Sequence, residues 1–363
     1  MKLRYLLFPI AVIFGIITLI RRWLYQNGFF FSGKPDIFTI CVGNLKMGGT
    51  GKTPHIEYLI QLLQERFKVA LLSRGYGRST KGFLMLDTIP ASEISARTVG
   101  DEPLQIHLKY PDIPIALSEN RYDGYLKLLE KRPDINVLLM DDGFQHLSFS
   151  PTCKILLTEY KTPFFEDYPF PAGNLREFSS AAKTADIVIV TKCPTEVSEN
   201  DRKRYAQKMK ISKAQHLFFT RFRYLPPEPK NELAQQKKTT PFSKIILLTG
   251  IANAKPLKEH LLQEYQEVIH LQYPDHHLFT TKDTENILQK IDTHFHTETA
   301  LFTTEKDYAR LRFSEIENKL SLYPFFTLPI EVEFLFGEKE MFDTNLLMIS
   351  WDYMKKVCDI QTS

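Results

Sequence analysis

Residues 37–42 form a short apolar run that leads into Gly43-Asn44-Leu45-Lys46-Met47-Gly48-Gly49-Thr50-Gly51-Lys52-Thr53-Pro54, and few stretches restrict a fold as tightly. Strand, glycine-rich loop and helix in that order predict a phosphate-binding loop. Glycines let backbone N–H groups turn inward around phosphate oxygens, and the following helix offers them its positive end. Met47, Gly48, Gly49, Thr50 and Gly51 are expected to cradle a nucleotide. Lys52 is expected to reach its β- and γ-phosphates, and the Thr53 hydroxyl to hold Mg²⁺. Pro54 suits the first helical turn, where a missing N–H costs nothing. Ile56, Leu59, Ile60 and Leu63 then recur at helical spacing. Where the strict pattern places glycine five residues before Gly51, this chain has Lys46. The bland alternative is a glycine-rich turn with a chance Gly-Lys-Thr, and the flanking strand and helix argue against it.

Further apolar runs at 68–72, 113–117, 135–140, 154–157 and 186–190, separated by helical patterns, predict a parallel sheet covered by helices. The continuous run at 135–140 reads as a strand buried on both faces. Composition shifts at Leu225-Pro226-Pro227-Glu228-Pro229 and again through 235–241, as in a linker. Beyond it, strands near 244–248, 267–272 and 300–303 alternate with helices near 256–265 and 282–291. The 363-residue length suits about two domains. The expected fold is α/β: a P-loop kinase-like parallel-sheet domain over 31–224, a linker over 225–243 and a smaller second α/β domain over 244–363. Residues 341–357, with Phe342, Leu346 and Leu347, read as a closing amphipathic helix packed on the second domain.

Residues 1–30 stand apart. Residues 5–20 carry no charge, with Lys2 and Arg4 before them and Arg21 and Arg22 after. The run is shorter than the roughly 20 residues that span hydrocarbon as a helix, and Pro9 and Gly15 interrupt it, so a shallow or re-entrant membrane anchor is expected. No small-residue cleavage site follows, unlike a signal peptide. A buried core helix is the bland alternative, but the flanking arginines with Trp23 and Tyr25 favour the lipid interface. The formal charge of +3 is too mild to argue for nucleic acid. Cys41, Cys153, Cys193 and Cys358 have no paired spacing, so neither a disulfide framework nor a zinc site is expected.

A phosphate loop followed by an apolar strand ending in acid is the arrangement of nucleotide hydrolases and kinases, which places Asp141, and with it Asp142, near the metal. Guanine-selective relatives of this class carry Asn-Lys-x-Asp after a strand; here Thr191-Lys192-Cys193-Pro194 lacks the acid, which points to ATP. Transfer to an acceptor hydroxyl needs a group to take its proton. Asp101, in Val99-Gly100-Asp101-Glu102-Pro103, and the cluster Asp275-His276-His277 are candidates; each also suits a helix cap.

The motifs GNLKMGGTGKTP, SRGYGR, VGDEP, Asn120-Arg121, LLMDDGFQH, PAGNLRE, TGIANAKP, YPDHH and TTEKDYARL occur in the order found in the tetraacyldisaccharide 4′-kinases of lipid A biosynthesis, and the chain resembles that family over about residues 5–310. The resemblance implies transfer of the ATP γ-phosphoryl group to the 4′-hydroxyl of a tetraacyldisaccharide 1-phosphate. The site implied is the cytoplasmic face of the bacterial inner membrane, with the glycolipid and membrane lipids as partners. It further implies Asp101 as general base with His276 as dyad partner, Arg74 and Arg121 at phosphate oxygens, and Glu177 joining Asp141 and Asp142 near Mg²⁺. A partitioning-type ATPase shares the deviant loop and membrane association. It places a signature lysine immediately before the paired glycines, where this chain has Met47. A nucleotide-binding scaffold without chemistry would have no use for Asp101 or His276.

Overall fold

The computed structural model describes residues 2–361 apart from 240, 297 and 313. The expected strands are present as β1 (Phe38–Asn44), β2 (Val69–Ser73), β4 (Ile115–Leu117), β5 (Val137–Asp141), β6 (Cys153–Glu159) and β7 (Ile187–Thr191). They are joined by β3 (Leu84–Met85) and β8 (His216–Tyr224). Then follow β9 (Glu228–Pro229), β10 (Lys244–Thr249), β11 (Glu267–Gln272), β12 (Thr299–Thr304), β13 (Phe325–Leu328) and β14 (Ile330–Phe334). Among the described residues these make two sheets, one of nine strands in the order β14-β8-β7-β6-β1-β5-β2-β4-β3 and one of five in the order β11-β10-β12-β13-β9. From β4 to β8 the larger sheet is parallel, and β3 and β14 close its edges antiparallel.

Side chains alternate across β5 as a doubly covered strand requires. Val137 and Leu139 face the cluster that holds Phe38, Ile56 and Ile60, while Leu138 and Met140 face Tyr125, Leu128 and Phe149. Both layers are apolar, which is why the strand reads as an unbroken apolar run.

The topology corrects the expected partition of the chain. β14 pairs with β8, Phe334 opposite Thr220 and Ile330 opposite Tyr224, so the polypeptide returns to the first sheet after building the second. The stretch read as a linker contributes β9 and the Glu232–Gln236 helix, and β9 pairs with β13 at the edge of the smaller sheet. The closing helix, Lys339–Gln361, packs on the first unit, not the second. Phe342 and Leu346 are fully buried with Phe38, Phe218 and Phe334. The Phe334 and Phe342 rings lie 4.6 Å apart.

At the N-terminus, Phe8–Gln26 is one unbroken helix of 19 residues. Pro9 sits harmlessly in its first turn. Gly15 is an approach point, because a Cβ there would lie 2.4 Å from the Phe178 ring. Ala11 and Gly15 face the protein, whereas Ile10, Ile13, Ile16, Ile17, Leu19 and Ile20 are exposed. The helix is long and apolar enough to cross a membrane by length and composition. Its inner side is nevertheless pinned to the protein. Arg4 donates to the carbonyls of Pro171 and Gly173, and Arg22 reaches Glu177.

Candidate active site

β1 lies between β5 and β6, with Val42 opposite Asp141. That register brings the glycine-rich loop and the acid to one carboxyl edge, where open α/β sheets bind ligands. Gly51 adopts φ +90°, and a Cβ there would also meet the Phe222 ring at 2.4 Å. Asn44 spans the loop, its Nδ2 donating to the Gly48 carbonyl (3.2 Å) and to Thr50 Oγ1 (2.9 Å). Thr191 Oγ1 donates to the Thr50 carbonyl (2.8 Å), and Lys192 Nζ to that of Gly49 (2.5 Å). Thr191-Lys192, read from sequence only for its missing acid, therefore braces the phosphate loop. The Met47 N–H donates to the Asn174 carbonyl at 2.9 Å. His55 Nδ1 lies 2.8 Å from the Gly51 carbonyl, and burial lowers its pKa to about 4, so the ring is neutral and Nδ1 is the donor. Lys52 and Thr53 open the helix, with Lys52 Nζ 3.7 Å from Asp142 Oδ1.

Asp141 ends β5 and Asp142 follows it in the turn, and the two have different environments. Arg176 Nη1 donates to both Asp142 oxygens at 2.9 Å. Burial pushes the Asp142 carboxyl up, but Lys52 and Arg176 outweigh it and the net shift is downward. Asp141 accepts from Ser73 Oγ through Oδ2 (3.3 Å), while its Oδ1 is buried without a hydrogen-bond partner. Burial, then the Glu102 charge, push Asp141 up to about 7. A buried, unpaired carboxylate oxygen next to Asp142, at the carboxyl edge shared with the glycine-rich loop, fits a hard divalent cation, which takes oxygen ligands.

The sign of the Asp141 effect on stability follows from linkage. Its folded pKa lies above the ordinary carboxyl value, so stability falls as pH rises from about 4 towards 7. In nucleotide-free, metal-free protein, Asp141→Asn is expected to raise the urea midpoint at pH 7.5 and to flatten its pH dependence. A midpoint with unchanged pH dependence would show that Asp141 ionises freely.

Arg121 is fully buried. Its Nη1 donates to the Ser118 carbonyl and its Nη2 to that of Asp141 at 3.3 Å. Burial lowers its pKa to about 10, so the guanidinium keeps its charge at pH 7 while holding the ends of β4 and β5. Arg74 is exposed at the end of β2. His146, absent from the sequence-derived set although it closes LLMDDGFQH, is lowered to about 4 by burial and then by Arg121 and Arg74. Glu177, expected near the metal, has both oxygens occupied: Oε2 by Arg22 at 2.6 Å, Oε1 by Gln145 Nε2 at 3.1 Å. That pairing joins residues far apart in sequence, which spacing does not reveal.

Asp101 and His276 meet across the two units, with His276 Nδ1 2.9 Å from Asp101 Oδ2. Asp101 opens the Asp101–Lys109 helix after Gly100, whose φ is +93° and where a Cβ would come 3.1 Å from the Tyr76 carbonyl. His276 sits at φ +58° in the loop after β11. His277 turns to Asp283 at 3.1 Å, so the choice between the two histidines falls to His276. Arg310, which sequence reasoning quoted within TTEKDYARL without a role, reaches the same Asp101 oxygen through Nη2 (2.6 Å) and Nε (3.0 Å). Burial pushes Asp101 up, but His276, Lys306 and Arg310 outweigh it and hold the carboxyl well below the usual range.

Residues 3–349 match the family described as Tetraacyldisaccharide-1-P 4'-kinase. The chain belongs to this family. A Tetraacyldisaccharide 4'-kinase of Flavobacterium johnsoniae is 40% identical over 346 residues, covering 95% of this chain and 96% of that one. Its Bacteroides thetaiotaomicron counterpart is 37% identical over 358 residues, covering 95% and 93%. A crystal structure of LpxK from Aquifex aeolicus in complex with ATP superposes with a TM-score of 0.70 at 25% identity, covering 96% and 99%. The kinase family thus accounts for the α/β architecture and the ATP site together.

Proposed function

We propose that this chain is the ATP-dependent kinase that phosphorylates the 4′-hydroxyl of a tetraacyldisaccharide 1-phosphate in lipid A biosynthesis. The observation that carries transfer over hydrolysis is the Asp101–His276 pair, 2.9 Å apart and contributed by different units. A plain nucleotide switch has no use for it. Gly48, Gly49, Thr50 and Gly51 would surround the phosphates with backbone N–H groups, with Met47 and Arg74 flanking them, and Lys52 would follow the γ-phosphoryl group. Thr53, Asp141 and Asp142 would hold Mg²⁺, which when bound neutralises charge on the β- and γ-oxygens. Glu177 would join them only by releasing Arg22 or Gln145. Arg121 would fix the Asp141 turn from beneath, and Asp101 with His276 would receive the acceptor's proton.

The exposed apolar side of the Phe8–Gln26 helix supports a location at a membrane surface. An acceptor carrying four acyl chains stays in a bilayer, and ATP is cytosolic, so we assign the enzyme to the cytoplasmic face of the inner membrane. Arg21, exposed near the end of the helix, would favour anionic lipid by about 1 kcal/mol near such a surface. No nucleic-acid partner is proposed.

The test is transfer of γ-labelled phosphate from ATP to a disaccharide 1-phosphate lipid in detergent, with Lys52→Ala as control. Label in the lipid that disappears in the control is the expected result. Label released only as inorganic phosphate would favour the partitioning-type ATPase.

A further inference from the structure

Helices from three parts of the chain meet in one charged cluster that neither the nucleotide site nor the Asp101–His276 contact uses. The phosphate-loop helix (Lys52–Leu63) supplies Glu57, the Asp101–Lys109 helix supplies Gln105 and Lys109, and the Glu305–Leu311 helix of the second unit supplies Glu305. Glu57 and Gln105 are buried. Glu57 Oε1 accepts from Gln105 Nε2 at 2.7 Å, and its Oε2 accepts from Lys109 Nζ at 2.6 Å. The same ammonium lies 2.9 Å from Glu305 Oε1 and 3.2 Å from Oε2. Burial pushes the Glu57 carboxyl up to about 7 even though Lys109 draws it down. Burial also lowers Lys109, but the Glu57 and Glu305 charges outweigh it and hold the ammonium well above its usual range. Asp101, Gln105 and Lys109 recur at every fourth position and so share one side of their helix. Asp101 and Glu102 at its start meet Arg310 and Lys306, and Lys109 at its end meets Glu305, the first residue of the opposing helix. Lys109 and Glu305 each suit the helix end they occupy. Ala309 joins the first unit's core beside these pairs, and of the three pairs the Lys109 one also reaches the helix that Lys52 opens.

We propose that Lys109 is a positioning residue whose two glutamate partners set how the unit carrying His276 sits against the helix carrying Lys52. This inference rests on the kinase reading and adds to it a brace between the nucleotide side of the site and the acceptor side. The chain crosses between the units twice, after β8 and before β14, and such a connection leaves relative motion as the default. A buried ion pair adds little stability over an apolar pair of the same volume. What it adds here is geometry, because two carboxylates and one ammonium satisfy one another only over a narrow range of distances. Transfer needs Lys52 and His276 in place at once, whereas ATP binding needs the first unit alone. Loosening the brace therefore acts on kcat through the placement of His276 and spares nucleotide affinity.

The experiment is a double-mutant cycle on the full chain with the lipid acceptor, reading kcat, the KM for ATP and the urea midpoint. Glu305→Gln leaves the Glu57–Lys109 bond in place. It is expected to lower kcat about tenfold with the KM for ATP within about twofold, because a small misplacement of a reacting group is that costly. Lys109→Met together with Glu57→Gln removes the bridge without leaving a bare buried carboxylate, and should lose as much. Adding Glu305→Gln to that background is expected to change kcat less than about twofold, because the brace is already gone. Should that background not fold, Lys109→Gln, whose amide can still donate to Glu57, takes its place in the cycle. A general loss of stability would move the urea midpoint and produce neither the split between kcat and KM nor the non-additivity. If Glu305→Gln leaves kcat unchanged, lowers it equally in both backgrounds, or raises the KM for ATP in parallel, the proposal is overturned. If the unsubstituted chain transfers no label to lipid, the kinase reading itself fails, an outcome distinct from failure of the brace.

Discussion

Asp101→Asn lowers kcat for lipid phosphorylation by an expected 10²–10⁴-fold, roughly the contribution of a positioned acid–base pair, while ATP affinity stays within about twofold. The asymmetry follows from where the residue sits. Asp101 belongs to the interface with the second unit, bonded to His276 and Arg310, and touches neither the glycine-rich loop nor Lys52. Asparagine fills the same volume and keeps an acceptor for the Glu102 N–H. It places either an amide or an uncharged carbonyl against the imidazole and guanidinium, so the ring loses the anion that stabilises its protonated form. Single-turnover transfer and equilibrium ATP binding, measured on the same preparation, check the split. If ATP binding weakens in parallel with kcat, Asp101 belongs to the nucleotide site and not to the acceptor's.

The nucleotide half of the site was legible because its logic is local. A strand, a loop and a helix contiguous in sequence are contiguous in space, and Asp141 ends a run whose unbroken apolar character marks a buried central strand. β8 and β14 were not legible for the opposite reason. They face each other through Arg221–Glu333 and Arg223–Glu331 pairs, so each carries charge on one side and reads as polar. More than a hundred residues separate them, and that intervening chain builds the second sheet. Residues 341–357 followed the second sheet in sequence and were read with it, but the apolar side of that helix covers Phe38 and Phe218 on the first. His276 against Asp101 was accessible only through resemblance to a family, since nothing local to YPDHH states which of two histidines points where. The clamp by Arg310 and the Arg22–Glu177 pair were invisible for the same reason. Long-range ionic contacts leave no periodicity.

A second large effect is expected at the membrane. Ile13 and Ile17 are each 58% exposed on the outer side of the Phe8–Gln26 helix, one turn apart. Burying an isoleucine side chain in hydrocarbon is worth about 1.5–3 kcal/mol. Ile13→Glu with Ile17→Glu should therefore weaken partitioning onto anionic phospholipid vesicles by about 3–6 kcal/mol, or 10²–10⁴-fold. The fold should survive, because the inward residues Ala11 and Gly15 and the Arg22–Glu177 contact are untouched. Turnover in detergent, where acceptor and enzyme share a micelle, is expected to fall far less than turnover on vesicles. Vesicle co-sedimentation and the two activities, taken together, separate anchoring from catalysis. Unchanged sedimentation would mean that the outer side of this helix meets something other than lipid. Loss of both activities equally would make the helix a structural support of the phosphate loop, reached through Arg22, Glu177 and Gln145.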